Sequence, residues 1–149
     1  MKKYEFKLNP VLKIRKLKEE NCRVELGQLL RYMDKIDQQI IHENGELDRY
    51  YQIQSGGVEQ GVAARQIQTF PMLMAGKLKN LELLEAERKR YEKLIQQKKE
   101  ELATLKGELK VIENLKEKDY TDFRKKLNKE IDEKVEEQTQ IWLNFKDKK

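Results

Sequence analysis

The apolar positions of this chain fall into two long periodic runs. In the first, Cys22, Leu26, Leu29, Met33, Ile36 and Ile40 alternate steps of four and three, and the register continues through Leu47, Tyr50 and Gln54. An average step of 3.5 keeps one narrow stripe turned toward a partner helix, so the pattern predicts a coiled-coil seam and not merely a core-facing helix. Backwards the seam passes Glu19, Arg15, Leu12 and Leu8, where two charges weaken it and Val11, Ile14 and Leu17 offer a displaced apolar face. Asn9 followed by Pro10 marks the predicted start, because Asn caps free amides and Pro fits a first turn.

The second run visits Ile67, Phe70, Met74, Lys77, Leu81, Leu84, Arg88, Tyr91, Ile95, Lys98, Leu102, Leu105, Leu109, Ile112, Lys116, Asp119 and Phe123. Most of these positions are apolar, and neither β-alternation nor disorder produces such a series. After Phe123 the steps change, through Leu127, Ile131, Val135, Gln138, Trp142 and Phe145, which is a stutter in the heptad phase.

Between the runs lies QSGGVEQGVAARQIQTFPMLMAGKL, with Gly56, Gly57, Gly61, Gly76 and Pro71. It contains no GxxxxGK[ST] and no GxGxxG, and no strand precedes it, so it reads as a turn and not as a phosphate cradle. Pro71 belongs to a first turn capped by Thr69, or to a kink. Gly76 costs about 1 kcal/mol relative to Ala within a helix. The second helix is therefore expected to become regular only after Gly76.

These runs predict an all-α fold, a long antiparallel two-helix coiled-coil hairpin with unequal arms, forming a single domain over 1–149. Helix 1 covers about 10–54, the bend about 55–61 and helix 2 about 62–145, irregular before 77. At 1.5 Å per residue the arms span roughly 65–70 Å and roughly 125 Å. The excess, an overhang of about 109–145, has no intramolecular partner in this reading. It carries Leu109, Ile112, Leu115, Phe123, Leu127, Ile131, Val135, Trp142 and Phe145. Such a stripe implies a binding surface, a self-association surface or a helix that bends back.

Composition agrees with a narrow seam. Charged residues make up 40% of the chain and hydrophobic ones 38%, against about 25% and 45–50% in ordinary domains. The net charge of +5 comes from 32 basic and 27 acidic residues, a mixed surface. Residues 1–18 are distinctly basic, which suits an acidic protein face, lipid head groups, nucleic acid or plain solvent. No run of 18 apolar residues exists to span a membrane, and no apolar h-region follows the basic start. Cys22, the single cysteine, forms no internal disulfide and fits a reducing compartment as a small packed residue.

Candidate chemistry is sparse. One His and one Cys do not make a metal centre, and His42 lies off the seam as an exposed residue. The carboxylates alternate with Lys and Arg at helical spacing, as in Glu82, Glu85, Glu87, Arg88, Lys89 and Arg90, and read as solvated pairs. A two-helix hairpin has no concave interior in which to tune a catalytic acid. No enzyme activity, cofactor or metal is expected. Nucleic acid is not an expected partner, because Glu85, Glu87, Glu92, Glu100 and Glu101 interrupt the bases of helix 2.

The lead YEFKLNPVLKIRKLKEE, the bend GVAARQIQTFPMLMAGKLKNLE and the stretch ENLKEKDYTDFRKKLNKEIDE together resemble the FliJ family of flagellar type III export proteins. The opening resembles the family's aromatic-basic-Leu-x-Pro-Leu/Val-Leu pattern at Phe6, Lys7, Leu8, Asn9, Pro10, Val11 and Leu12, followed by Arg15. The resemblance covers essentially the whole chain and rests on order and length, not on one motif. It implies a non-enzymatic stalk, similar to the central stalk subunit of rotary ATPases. Such a stalk would bind the export ATPase hexamer and the cytoplasmic domain of the export gate, and assist export chaperones. By resemblance, Phe70, Leu73, Met74, Leu81 and Leu84 match the gate-contact neighbourhood, where Lys77 replaces a usual apolar residue and Pro71 is uncommon. By resemblance and by the uncovered stripe, Leu8, Leu12, Arg15, Leu127, Ile131, Val135, Trp142 and Phe145 are the ATPase-contact candidates. The implied location is the cytoplasm, peripheral to the inner membrane at the flagellar basal body and reached through partners. An injectisome stalk or a self-associating structural coiled coil is the alternative reading.

Overall fold

The computed structural model describes residues 2–56 and 64–148. Two helices account for nearly all of them: α1, Asn9–Gly56, and α2, Ala64–Asp147. The fold is the antiparallel two-helix coiled-coil hairpin that the heptads predict. Residues 57–61 of the expected bend lie outside the described residues, whereas Ser55 and Gly56 belong to α1. Contacts divide the chain into two compact units, Met1–Glu20 with Ala103–Lys149, and Asn21–Leu102.

In the unit Asn21–Leu102, α1 and α2 run antiparallel. Cys22 lies beside Lys98, Tyr32 stacks on Tyr91, Asp37 pairs with Arg88, Glu43 with Lys77, and Tyr50 packs on Phe70. The partner number falls steadily as the α1 number rises. Cys22, Ile36 and Leu47 from α1 and Phe70, Met74, Leu81, Ile95 and Leu102 from α2 are buried, at the heptad positions read from the sequence. Toward the end of α1, Ile53 is half-buried and Gln54 exposed, so the apolar neighbour occupies the inward position expected of Gln54.

The start of α2 differs from the expectation. The chain is already helical at Ala64 and stays so through Pro71 and Gly76, where an irregular start before 77 was predicted. The reason is tertiary burial. Phe70, Met74 and Leu81 form a core cluster with Leu47, flanked by Ile40, Tyr50 and Ile53. The phenyl ring of Phe70 lies 5.2 Å from that of Tyr50. Burying two large side chains contributes about 1.5–3 kcal/mol each, enough to offset the propensity cost of Pro and Gly, about 3 and 1 kcal/mol.

In the unit Met1–Glu20 with Ala103–Lys149, α1 begins one residue before the predicted start. The Leu8 carbonyl accepts the first helical bond from Leu12 N at 3.0 Å, which makes Leu8 the capping residue by backbone geometry. Ahead of it the lead is not helical and lies against α2. The Tyr4 hydroxyl donates to Asp119 Oδ2 at 3.0 Å and meets the Lys116 carbonyl at 3.3 Å. Its ring packs edge-on against Tyr120 at 5.0 Å and tilted on Phe123 at 5.3 Å.

This contact moves the start of the overhang. Leu109 is half-buried, Ile112 is buried, and Phe123 and Leu127 are half-buried, whereas every described residue from 128 to 148 is exposed. The uncovered part therefore begins after Leu127 and not near Leu109. The correction has a simple geometric cause. A non-helical lead advances up to about 3.3 Å per residue, more than twice the 1.5 Å of a helix, so a few residues cover several turns of α2.

Candidate interaction surfaces

Polar residues at seam positions are complemented across the helix pair. Lys77 occupies a heptad position of α2, and its ammonium forms ion pairs with Glu46 and, at 3.2 Å, with Glu43 of α1. The hydrogen bond from Lys77 holds the Glu46 carboxyl below its ordinary range, and the same contact raises the Lys77 ammonium. Lys98 repeats the arrangement with Glu25 and, at 3.1 Å, Glu101, and its pKa is raised, foremost by the Glu25 hydrogen bond. Cys22 is a buried thiol facing the Lys98 carbonyl at 3.8 Å, the small packed residue the sequence implied.

Among the described residues, His42, Glu43 and Glu46 are grouped closely enough to hold a metal ion. His42 Nε2 lies 3.1 Å from Glu46. The Lys77 ammonium already sits against both carboxylates and supplies the positive charge that a cation would bring. The cluster is explained as a seam ion pair.

The gate-contact candidates separate into two groups. Phe70, Met74 and Leu81 are buried in the core cluster, and Leu84 is half-buried, so these four hold the two helices together. Leu73 is 47% exposed and lines a shallow groove with Glu46, Arg49, Tyr50 and Ile53. Met72, beside it in sequence, is 82% exposed. The heptad reading passes over Met72 because it falls off the seam; that same off-seam position marks it as outward-facing.

The ATPase-contact candidates separate in the same way. Leu12 is buried, and half-buried Arg15 donates from Nη1 to the Glu108 carbonyl at 2.8 Å. Both tie α1 to α2 within their unit. Leu8 is 41% exposed and shares an open groove with Tyr4, Phe6, Leu115 and Phe123. Leu127 is half-buried, and Ile131, Val135, Trp142 and Phe145 are exposed, joined by Ile141 and Leu143. Lys146 Nζ stands 5.1 Å over the Trp142 ring. Tyr4 and Phe6 were not singled out as contact residues from the heptads. Their signal is a period of two, Tyr4-x-Phe6-x-Leu8 with Glu5 and Lys7 between, the mark of an extended segment with one apolar side.

The surface offered is thus helical, apolar in narrow strips and densely charged between them. Among the described residues, no helix is long and apolar enough to cross a membrane. A profile of the family described as Flagellar FliJ protein matches residues 4–140. Searches of curated proteins and of solved structures found no match.

Proposed function

The chain belongs to the FliJ family, a non-enzymatic adaptor and stalk of the flagellar export apparatus, and from this premise we propose how its surfaces divide the work. The uncovered stripe of α2 beyond Leu127 engages the export ATPase hexamer, through Ile131, Val135, Trp142 and Phe145. Leu8 and the groove between the lead and α2 extend this surface. Leu12 and Arg15 act indirectly, by fixing α1 beside α2. The outward residues near the start of α2, Leu73 with Met72, contact the cytoplasmic domain of the export gate, while Phe70, Met74, Leu81 and Leu84 shape the helix pair that presents them. Export chaperones are further partners in this reading. The protein works in the cytoplasm and reaches the membrane only through these partners.

The observation that carries the proposal is the run of exposed apolar side chains on a helix that continues about five turns past its last half-buried residue, Leu127. Solvent exposure of Trp, Ile and Val along one helix costs the isolated chain and is recovered when a partner covers them. The test is co-purification with the export ATPase at micromolar concentration, comparing the whole chain with one truncated after Leu127. The whole chain should bind and raise the hexamer fraction. The truncated chain should keep its helical circular-dichroism spectrum and lose binding. Equal binding by both forms, or none by the whole chain, overturns the assignment.

A further inference from the structure

The lead covers α2 at the point where the stripe runs out into solvent. Tyr120, Phe123, Leu127, Ile131 and Val135 follow one another in steps of three and four, which keeps them on one side of the helix. Tyr4 packs on the first two of these, and from Ile131 onward the side is open. The lead therefore occupies the beginning of the same stripe that, further along, faces the export ATPase.

Its hold on α2 is slight. Tyr4 and Phe6 are half-buried, and the other described residues of the lead, 2, 3, 5, 7 and 8, are exposed. Tyr4 supplies the phenol bond to Asp119 and both ring contacts. The backbone bond from Asn9 N to the Phe6 carbonyl, 3.1 Å, turns the lead back on itself and does not reach α2. Between lead and helix an open groove of about 580 Å³ remains, and Leu8 and Leu115 on its walls are still 41% and 44% exposed. A segment anchored by two side chains over an unfilled groove opens far more easily than a seam buried from both helices.

We propose that residues 2–8 are a strap that the export ATPase displaces. The inference rests on the assignment of the stripe beyond Leu127 to that partner, and adds how access to it is regulated. A partner lying on Ile131 and Val135 meets the Tyr4 ring at Phe123 and can advance no further while the lead is docked. Lifting the lead frees Leu115, Tyr120 and Phe123 and lengthens the stripe by about two turns. The exchange leaves no polar group stranded, since the Tyr4 bond to Asp119 is solvent-exposed and both partners return to water. A lead docked about ten times as often as it is released weakens the apparent affinity about tenfold.

The experiment places spin labels at Lys3→Cys and Lys118→Cys in a Cys22→Ala background. Both label sites are exposed, and Lys118 lies off the stripe. Double electron–electron resonance on the free chain should give mainly one short distance, and saturation with the export ATPase should replace it by a longer, broader distribution. Tyr4→Ala, which keeps Leu8, should show the long distribution without partner and bind the ATPase about tenfold more tightly. Tyr4→Phe should fall between, and all three forms should keep the same helical circular-dichroism spectrum. A short distance that persists in the bound chain, or Tyr4→Ala binding no more tightly than the native lead, would overturn the strap alone. Binding by none of the three forms would instead remove the ATPase assignment, and the strap with it.

Discussion

Phe70→Ala tests the reason that α2 is helical through a proline. The first turns of α2 are intrinsically poor, with Pro71 about 3 kcal/mol and Gly76 about 1 kcal/mol worse than alanine. Against this stand the burial of Phe70 and Met74, each 7% exposed and worth about 1.5–3 kcal/mol. The ring contact of Phe70 with Tyr50 at 5.2 Å adds about 1 kcal/mol. The two sides nearly balance, so loss of one large side chain decides the local outcome. Truncating a core Phe costs about 3–5 kcal/mol, and a two-helix seam places this site near the lower figure, because solvent and neighbours close over the gap. A loss of about 3 kcal/mol corresponds to roughly a hundredfold fall in protection from exchange. Hydrogen exchange resolved by peptide should show that fall over residues 68–76 and little change over residues 90–102. Pro71→Ala in the same background should restore most of it, since it returns the missing amide and about 3 kcal/mol of helix propensity. Protection lost evenly along both helices, or no rescue by Pro71→Ala, would refute the balance.

Two further outcomes follow from the polar contacts. Lys77→Leu should lower the melting temperature at neutral pH by leaving Glu43 and Glu46 without their cation, whereas Lys77→Leu with Glu43→Leu should recover most of the loss; melting curves in a double-mutant cycle measure the coupling. The Glu46 carboxyl is held low, so its contribution is present above the ordinary carboxylate range and lost as pH falls through the lowered pKa. Lys77 is raised, so its part is full below the ordinary lysine pKa and lost as pH rises through the raised one. The native chain should therefore lose melting temperature at both extremes, and the double variant should respond less at each. At the lead, Tyr4→Phe should keep the ring contacts with Tyr120 and Phe123 and lose the bond to Asp119, while Tyr4→Ala should lose both. Limited proteolysis should accordingly cut residues 2–8 fastest in the alanine variant; equal cutting of all three forms would show that the lead is not held by Tyr4. The Tyr4 phenol is raised, first by burial and then by Asp119, so the lead should stay docked at neutral pH and loosen as pH rises through that pKa.

Much of the seam was legible because a coiled coil is a local repeat. Cys22, Ile36, Leu47, Leu81, Ile95 and Leu102 follow from heptad spacing and are buried where that spacing puts them. Lys77 and Lys98 looked like defects in the repeat, since a one-helix pattern says nothing about which carboxylates stand opposite. Glu43, Glu46 and Glu25 lie far away in sequence, and only the antiparallel register brings them to those ammonium groups. The candidate contact residues were read from the same repeat and so mixed inward with outward ones. Phe70 and Leu12 belong to the seam, whereas Leu73 and Ile131 face solvent.

The amino-acid sequence alone determined the two helices, their antiparallel pairing, the absence of a phosphate loop and an apolar stripe too long for its own hairpin. These are properties of spacing, and spacing survives without neighbours. Tertiary structure decided where that stripe becomes uncovered. The lead is not helical and so escapes a helical count of length, yet Tyr4 and Phe6 lie along α2 and shift the open region from near Leu109 to beyond Leu127. It also decided that Pro71 stays within α2, because the burial of Phe70 and Met74 against α1 outweighs a local preference that no nearby residue could reverse.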